Sequence, residues 1–148
     1  MMEKSMKNKS KNMFRVLDTF AGAGGFSLGF QLAGAELVGA IETDSWASET
    51  FKFNHPEAEV IKADITELSD EEILKNFQHL QPTVLLGGPP CQGFSMANRQ
   101  RILDDPRNQL YKAYLTFLAN VRPMFFIMEN VKGMAKKMMK SRKISRNF

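Results

Sequence analysis

The sequence predicts an α/β fold, an open parallel sheet with helices on both faces, and three observations carry that expectation. From residue 14 onward, short apolar runs of strand length alternate with segments of helical period. A glycine-rich turn, Gly22-Ala23-Gly24-Gly25, follows the first run. Polar or chemically unusual residues recur just after the other runs, and in sheets of this kind the ends of the strands share one ligand-binding rim.

Taken in order, the first strand covers residues 14–20, and a helix follows the glycines to about residue 32. The second strand, 36–41, ends in Glu42-Thr43-Asp44 and gives way to a helix over 45–53 closed by His55-Pro56. A short third strand at 59–62 leads to Ala63-Asp64-Ile65. Ser69 with Glu72 forms a capping box that opens a helix whose Ile73, Leu74 and Phe77 point inward. The fourth strand, 83–86, runs into Gly87-Gly88-Pro89-Pro90-Cys91-Gln92-Gly93-Phe94-Ser95 and a polar loop to Asp104. Asp105 with Pro106 then starts a helix with one apolar stripe of Leu110, Ala113, Tyr114, Phe117, Leu118 and Val121. The fifth strand, 124–128, ends in Glu129-Asn130.

A chain of 148 residues, 43% of them hydrophobic, supports one domain and is short for two. The expected division is a basic flexible N-terminus over 1–13, a partial catalytic domain over 14–134 and a basic tail over 135–148. The net charge of +4 belongs to the ends. Residues 1–15 carry five basic groups and one acid, residues 130–148 seven and none, which leaves 8 basic against 15 acidic groups between them. Overall charge is therefore weak support for nucleic-acid binding. No apolar run approaches the roughly 20 residues a bilayer requires, and the Lys-rich start lacks the apolar core of a signal peptide. With Cys91 the sole cysteine, no internal disulfide can form, and a cytoplasmic location is expected, with no metal.

The strand ends carry the chemistry. The glycine turn either lets a ligand approach the backbone or simply makes a tight connection; its spacing is not that of a dinucleotide site. Glu42, about twenty residues on, stands where such folds set a carboxylate on ribose hydroxyls, so a nucleotide-like cofactor follows. Phe20 and Trp46 could flank an adenine or be ordinary packing, and Asp64 could accept from an adenine amino group or cap a turn. Cys91 is more specific: Pro89-Pro90 stiffens the approach to it, and an exposed thiol at a strand end suits a nucleophile better than a buried structural role. Glu129 follows five uncharged residues. Apolar neighbours favour a carboxyl's protonated form, which suits donation to a heteroaromatic ring nitrogen.

Three ordered blocks, residues 18–27 (DTFAGAGGFS), residues 88–95 (GPPCQGFS) and Glu129-Asn130-Val131, resemble the signature blocks of DNA (cytosine-5) methyltransferases over about residues 14–134. The resemblance implies a Rossmann-like S-adenosylmethionine-dependent methyltransferase fold, incomplete at the C-terminus. It implies a S-adenosylmethionine site formed by Phe20, Gly22, Gly24, Glu42, Asp64 and Pro89, with Thr43 against the adenine. It makes Cys91 the nucleophile toward carbon 6 of cytosine and Glu129 the partner of ring nitrogen 3. Pro90, Gln92, Ser95, Asn130 and Arg99 become candidates for contacts to double-stranded DNA, with Arg101 and Arg107 as further phosphate partners. The loop from Gln92 to about Asp104 would close behind a flipped base. The implied activity is methylation of cytosine in DNA within a bacterial restriction-modification system.

The departures are also informative. No Gln-x-Arg-x-Arg block, variable target-recognition region or returning C-terminal segment is present. A truncated gene product or one half of a two-chain enzyme is therefore expected, with a second polypeptide supplying the choice of DNA sequence. The alternative is an inactive remnant that at most binds S-adenosylmethionine. RNA methylation by tRNA-directed relatives fits Gly93-Phe94-Ser95 less well, and a nicotinamide dehydrogenase would have no use for Cys91 and Glu129 together. The incomplete sheet leads us to expect an exposed apolar edge and low solubility.

Overall fold

The computed structural model describes residues 14–90 and 109–129. Its elements in chain order are β1 (Arg15–Thr19), α1 (Gly25–Leu32), β2 (Glu36–Glu42), α2 (Ser45–Asn54), β3 (Glu59–Lys62), α3 (Asp70–Phe77) with a single 3-10 turn after it, β4 (Val84–Gly87), α4 (Gln109–Val121) and β5 (Phe125–Met128). The strand bounds agree with the sequence expectation to within about a residue. The Asp105-Pro106 helix start lies outside the described residues.

The five strands form one parallel sheet in the order β3-β2-β1-β4-β5. A central parallel strand is covered on both faces and so reads as a nearly continuous apolar run. In β1, Val16 to Thr19 are all buried. Leu17 belongs to the apolar cluster formed with Ile73 and Phe77 of α3 and Tyr114 and Phe117 of α4. Val16 belongs to the cluster on the opposite face, with Phe51 of α2 and Phe30 of α1 packed against it. Helices thus cover both faces, as the alternating pattern requires. Leu74 departs from expectation: Ile73 and Phe77, one turn apart, fill the core, while Leu74 at the flank of that stripe is 39% exposed.

Local signals fix the helix starts. Asp44 accepts from the Ala47 N–H at 2.8 Å to cap α2. Ser69 and Glu72 cap α3 reciprocally, and the Ser69 N–H and hydroxyl, both donating to Glu72, hold its carboxyl below the usual range. α1 is different: its N-cap is Gly24, at φ 92°, with no side-chain cap.

The chain steps outward from β1 through β2 to β3, then crosses back to place β4 on the other side of β1. Strand order reverses between β1 and β4, and the C-terminal ends there diverge into a crevice. Beyond β4, β5 is an edge among the described residues, with Phe125, Phe126 and Ile127 53%, 54% and 42% exposed. No helix among the described residues is long and apolar enough to cross a membrane.

Candidate cofactor and catalytic site

β1 ends in a strained turn. Phe20 has φ 61°, a left-handed conformation that costs a residue with a Cβ roughly 1–2 kcal/mol, and Gly22 follows at φ 55°. The turn is tied to β2: Ala21 N–H donates to Ile41 O at 3.1 Å, and Gly22 N–H donates to Glu42 Oε2 at 2.8 Å. The Asp44 N–H donates to the other oxygen, Oε1, at 2.9 Å. Both carboxylate oxygens of Glu42 are therefore held by backbone donors, and each still has a lone pair free to accept from a ligand hydroxyl. Glycine-to-carboxylate spacing in the sequence pointed to a ligand. The structure adds that the turn and the carboxylate also bind each other.

A groove along the strand ends is lined by Phe20 after β1, Glu42 and Thr43 after β2, Asp64 after β3, Gly88 and Pro90 after β4, and Leu110 of α4. Asp64 Oδ1 accepts from the Thr66 N–H at 2.8 Å and from its hydroxyl at 2.7 Å, so it caps a turn and leaves Oδ2 for the groove. Trp46 is 80% exposed and stands outside this lining. Gly24 is buried behind the turn, and Pro89 is buried while its neighbours Gly88 and Pro90 face the groove.

The second part of the site is made by register. Gly87 of β4 pairs with Met128 of β5, and the Glu129 N–H donates to Gly87 O at 2.9 Å. Glu129 Oε2 comes within 3.5 Å of where a Cβ on Gly88 would stand. This carboxyl group therefore lies against the segment that leads through Pro89-Pro90 into Cys91. Gly87 itself has no room for a side chain: an added Cβ would be 2.4 Å from the ring of Tyr114 and 2.6 Å from Thr19 Oγ1. Cys91, Gln92, Ser95, Arg99, Arg101, Arg107 and Asn130 lie outside the described residues.

Beneath the rim, buried polar groups are unevenly satisfied. Burial pushes the Asp18 carboxyl up to about 6, against the opposing effect of a 2.5 Å hydrogen bond donated by the Ser27 hydroxyl, and the nearby Glu42 charge raises it further. The Tyr114 hydroxyl is raised to about 12, mainly by burial and then by Asp18, and it has no hydrogen-bond partner among the described residues. Sequence inspection assigned Leu110 only to a packing stripe, and it passed over Phe20's backbone and the contacts of Asn54 and His55 to the glycine turn. No residue-type pattern announces the latter two; they depend on which elements become neighbours.

Comparison with known proteins places these features. The family model described as C-5 cytosine-specific DNA methylase matches residues 14–146. Type II methyltransferase M1.HphI of Haemophilus parahaemolyticus is 44% identical over 117 residues, 78% of this chain and 32% of the relative. Type II methyltransferase M.DdeI of Desulfomicrobium norvegicum is 44% identical over 127 residues, 86% of this chain and 30% of the relative. Among solved structures, a prophage-encoded protein of E. coli described as a DNA modification methyltransferase superposes with a TM-score of 0.68 at 38% identity, covering 82% of this chain and 33% of that one. The chain thus spans about a third of the length of these relatives.

Proposed function

Because the chain belongs to the C-5 cytosine-specific DNA methylase family, we propose that it carries the S-adenosylmethionine-binding and catalytic part of an enzyme that methylates carbon 5 of cytosine in double-stranded DNA, within a type II restriction-modification system. The observation that carries this reading is the meeting of two strand ends: Glu129 lies beside Gly88, three residues before Cys91, at the mouth of a groove that holds Glu42 and Asp64.

The groove's residues fit the cofactor by their chemistry. Glu42, oriented by two backbone donors, suits a ribose diol; Asp64 Oδ2 suits an exocyclic amine; Phe20, Ile65 and Leu110 give apolar contact for an adenine, with Thr43 beside them. S-adenosylmethionine supplies an electrophilic methyl group on a sulfonium. Gly22 and Gly24 shape the turn against it, with Pro89 behind the groove wall.

The chain's own residues supply the rest. The Cys91 thiolate adds to carbon 6 of the cytosine ring, and Glu129 donates a proton to ring nitrogen 3 as electron density moves onto carbon 5. Once carbon 5 has gained its methyl group, loss of the proton there restores the double bond and expels the thiolate, and ring nitrogen 3 returns its proton to Glu129. Pro90, Gln92, Ser95, Asn130 and Arg99 serve the flipped base and its backbone. The β5 side chains, exposed among the described residues, support a second reading, in which the protein binds S-adenosylmethionine and does not methylate.

The test uses a duplex containing 5-fluorocytosine, whose carbon 5 has no proton to lose after methyl transfer. With S-adenosylmethionine, and with a complementing polypeptide where needed, a denaturation-resistant protein–DNA adduct is expected, and Cys91→Ser abolishes it. No adduct from folded protein in either mixture would leave the binding-only reading.

A further inference from the structure

Two neighbouring residues at the end of α2 grip two neighbouring carbonyls of the glycine turn. Asn54 Nδ2 donates to Ala23 O at 3.0 Å, and His55 Nε2 lies 3.1 Å from Gly24 O. A carbonyl oxygen only accepts, so His55 Nε2 carries the proton. On the ring's other side Nδ1 lies 2.7 Å from Gln31 Oε1 of α1; with the proton on Nε2 a neutral ring accepts there, which requires the Gln31 amide to be turned so that its NH2 faces Nδ1. His55 is 3% exposed and its ring packs on Phe51 with centroids 4.6 Å apart. A Cβ on Gly24 would stand 2.1 Å from His55 Nε2, so glycine at 24 and histidine at 55 form one fitted pair.

Within a peptide plane the carbonyl and the following N–H point in opposite directions, so fixing one aims the other. Holding Ala23 O and Gly24 O fixes the N–H groups of Gly24 and Gly25, and with them the pitch of the turn that presents Gly22 N–H to Glu42. Gly24 has no capping side chain; its N–H donates to Ala21 O at 3.0 Å and its carbonyl accepts from the Leu28 N–H at 2.9 Å, and α2 adds two further donors, Asn54 and His55, to the carbonyls of this turn. We infer that Asn54 and His55 are positioning residues for the cofactor site, acting through the glycine turn on Glu42. The inference rests on the S-adenosylmethionine reading above for its ligand, but not for its geometry.

The experiment therefore has two readouts on the full chain: calorimetric affinity for S-adenosylhomocysteine, and amide hydrogen exchange over residues 21–28 against Val84–Gly87 as internal reference. His55→Ala weakens affinity by about tenfold or more and deprotects 21–28 selectively, the scale expected when one buried hydrogen bond is lost. His55→Gln, whose amide N–H can replace Nε2–H, recovers most of both. Asn54→Ala, at an exposed site, gives a smaller change in the same direction. A purely structural role would lower the melting temperature of His55→Ala without changing affinity, and affinity within twofold of the parent in His55→Ala overturns the inference. Should His55→Ala not fold, Asn54→Ala decides: unchanged exchange over 21–28 overturns the clamp. If the parent chain binds no S-adenosylhomocysteine, the cofactor reading fails, and exchange alone supports or overturns the clamp.

Discussion

The two edges of the sheet are built differently. β3 and β5 are both four-residue parallel strands with one neighbour among the described residues. β3 begins and ends with exposed charge, Glu59 and Lys62; Glu59 pairs with His79 at 2.9 Å and Lys62 donates to Ser45. Charge at a sheet edge discourages a further strand from pairing. β5 carries Phe125, Phe126 and Ile127, all exposed, around an apolar groove that also involves Phe14, Phe30 and Val84. β3 has the side chains of a finished edge and β5 those of an interior strand. The groove along the strand ends reaches from β3 to β4, so the proposed cofactor chemistry sits toward the finished edge, and the proposed catalytic carboxyl, Glu129, follows the strand whose side chains are exposed among the described residues.

The largest expected effect tests this difference directly. Phe51, fully buried on the β2 side, should cost about 3–5 kcal/mol when cut to alanine. The same change at Phe125 should cost under about 1 kcal/mol, since half its surface is already in water. Denaturant titration of both variants checks this. Equal costs would mean that the β5 edge is buried in solution, and the comparison would break.

Much of this arrangement was legible in the residues. Apolar runs bounded by glycine and proline marked the strands, Ser69 with Glu72 marked a helix start, and the spacing from Gly22 to Glu42 marked two strand ends that meet on one rim. What was not legible depended on tertiary placement. An apolar run at 124–128 reports what a strand needs for cover, not whether it has it. Trp46 looked like a ring beside a ligand because it follows a strand end, yet α2 turns it to solvent. Phe20's left-handed backbone has no signature in its side chain, and Asn54 with His55 reads as a helix end until α2 is packed against the turn. Cys91, the most specific signal in the sequence, lies outside the described residues, so its weight rests on the residues around it.

A smaller effect separates the buried polar groups beneath the rim from both edges. Asp18 has a folded pKa raised to about 6 from 3.8, so between those values the folded state binds more proton than the unfolded one. Stability from this group is therefore present at low pH and lost as pH rises through about 6, an effect on the order of 2–3 kcal/mol at neutral pH. Asp18→Asn keeps an acceptor for Ser27 and removes the charge. It should be more stable than the parent at pH 7.5 and lose that advantage by about pH 4; thermal unfolding at both values decides, and an advantage that persists at pH 4 would assign the cost to something other than ionisation.

The smallest effect on stability should have the clearest effect on behaviour. Phe126 is 54% exposed, and replacing it with lysine gives β5 the kind of charge that β3 already carries. A surface substitution of this sort should change folding stability by no more than about 0.5 kcal/mol. An apolar unpaired strand promotes edge-to-edge association, and a lysine on it opposes that without touching the core. Phe126→Lys should therefore raise the monomer fraction in size-exclusion chromatography while leaving the denaturation midpoint nearly unchanged. Affinity for S-adenosylhomocysteine should also be unchanged, because the groove that holds Glu42 and Asp64 does not include Phe126. A variant that associates as strongly as the parent would place the sticky surface elsewhere, and one that loses ligand affinity would show that the two edges are coupled through β1 and β4.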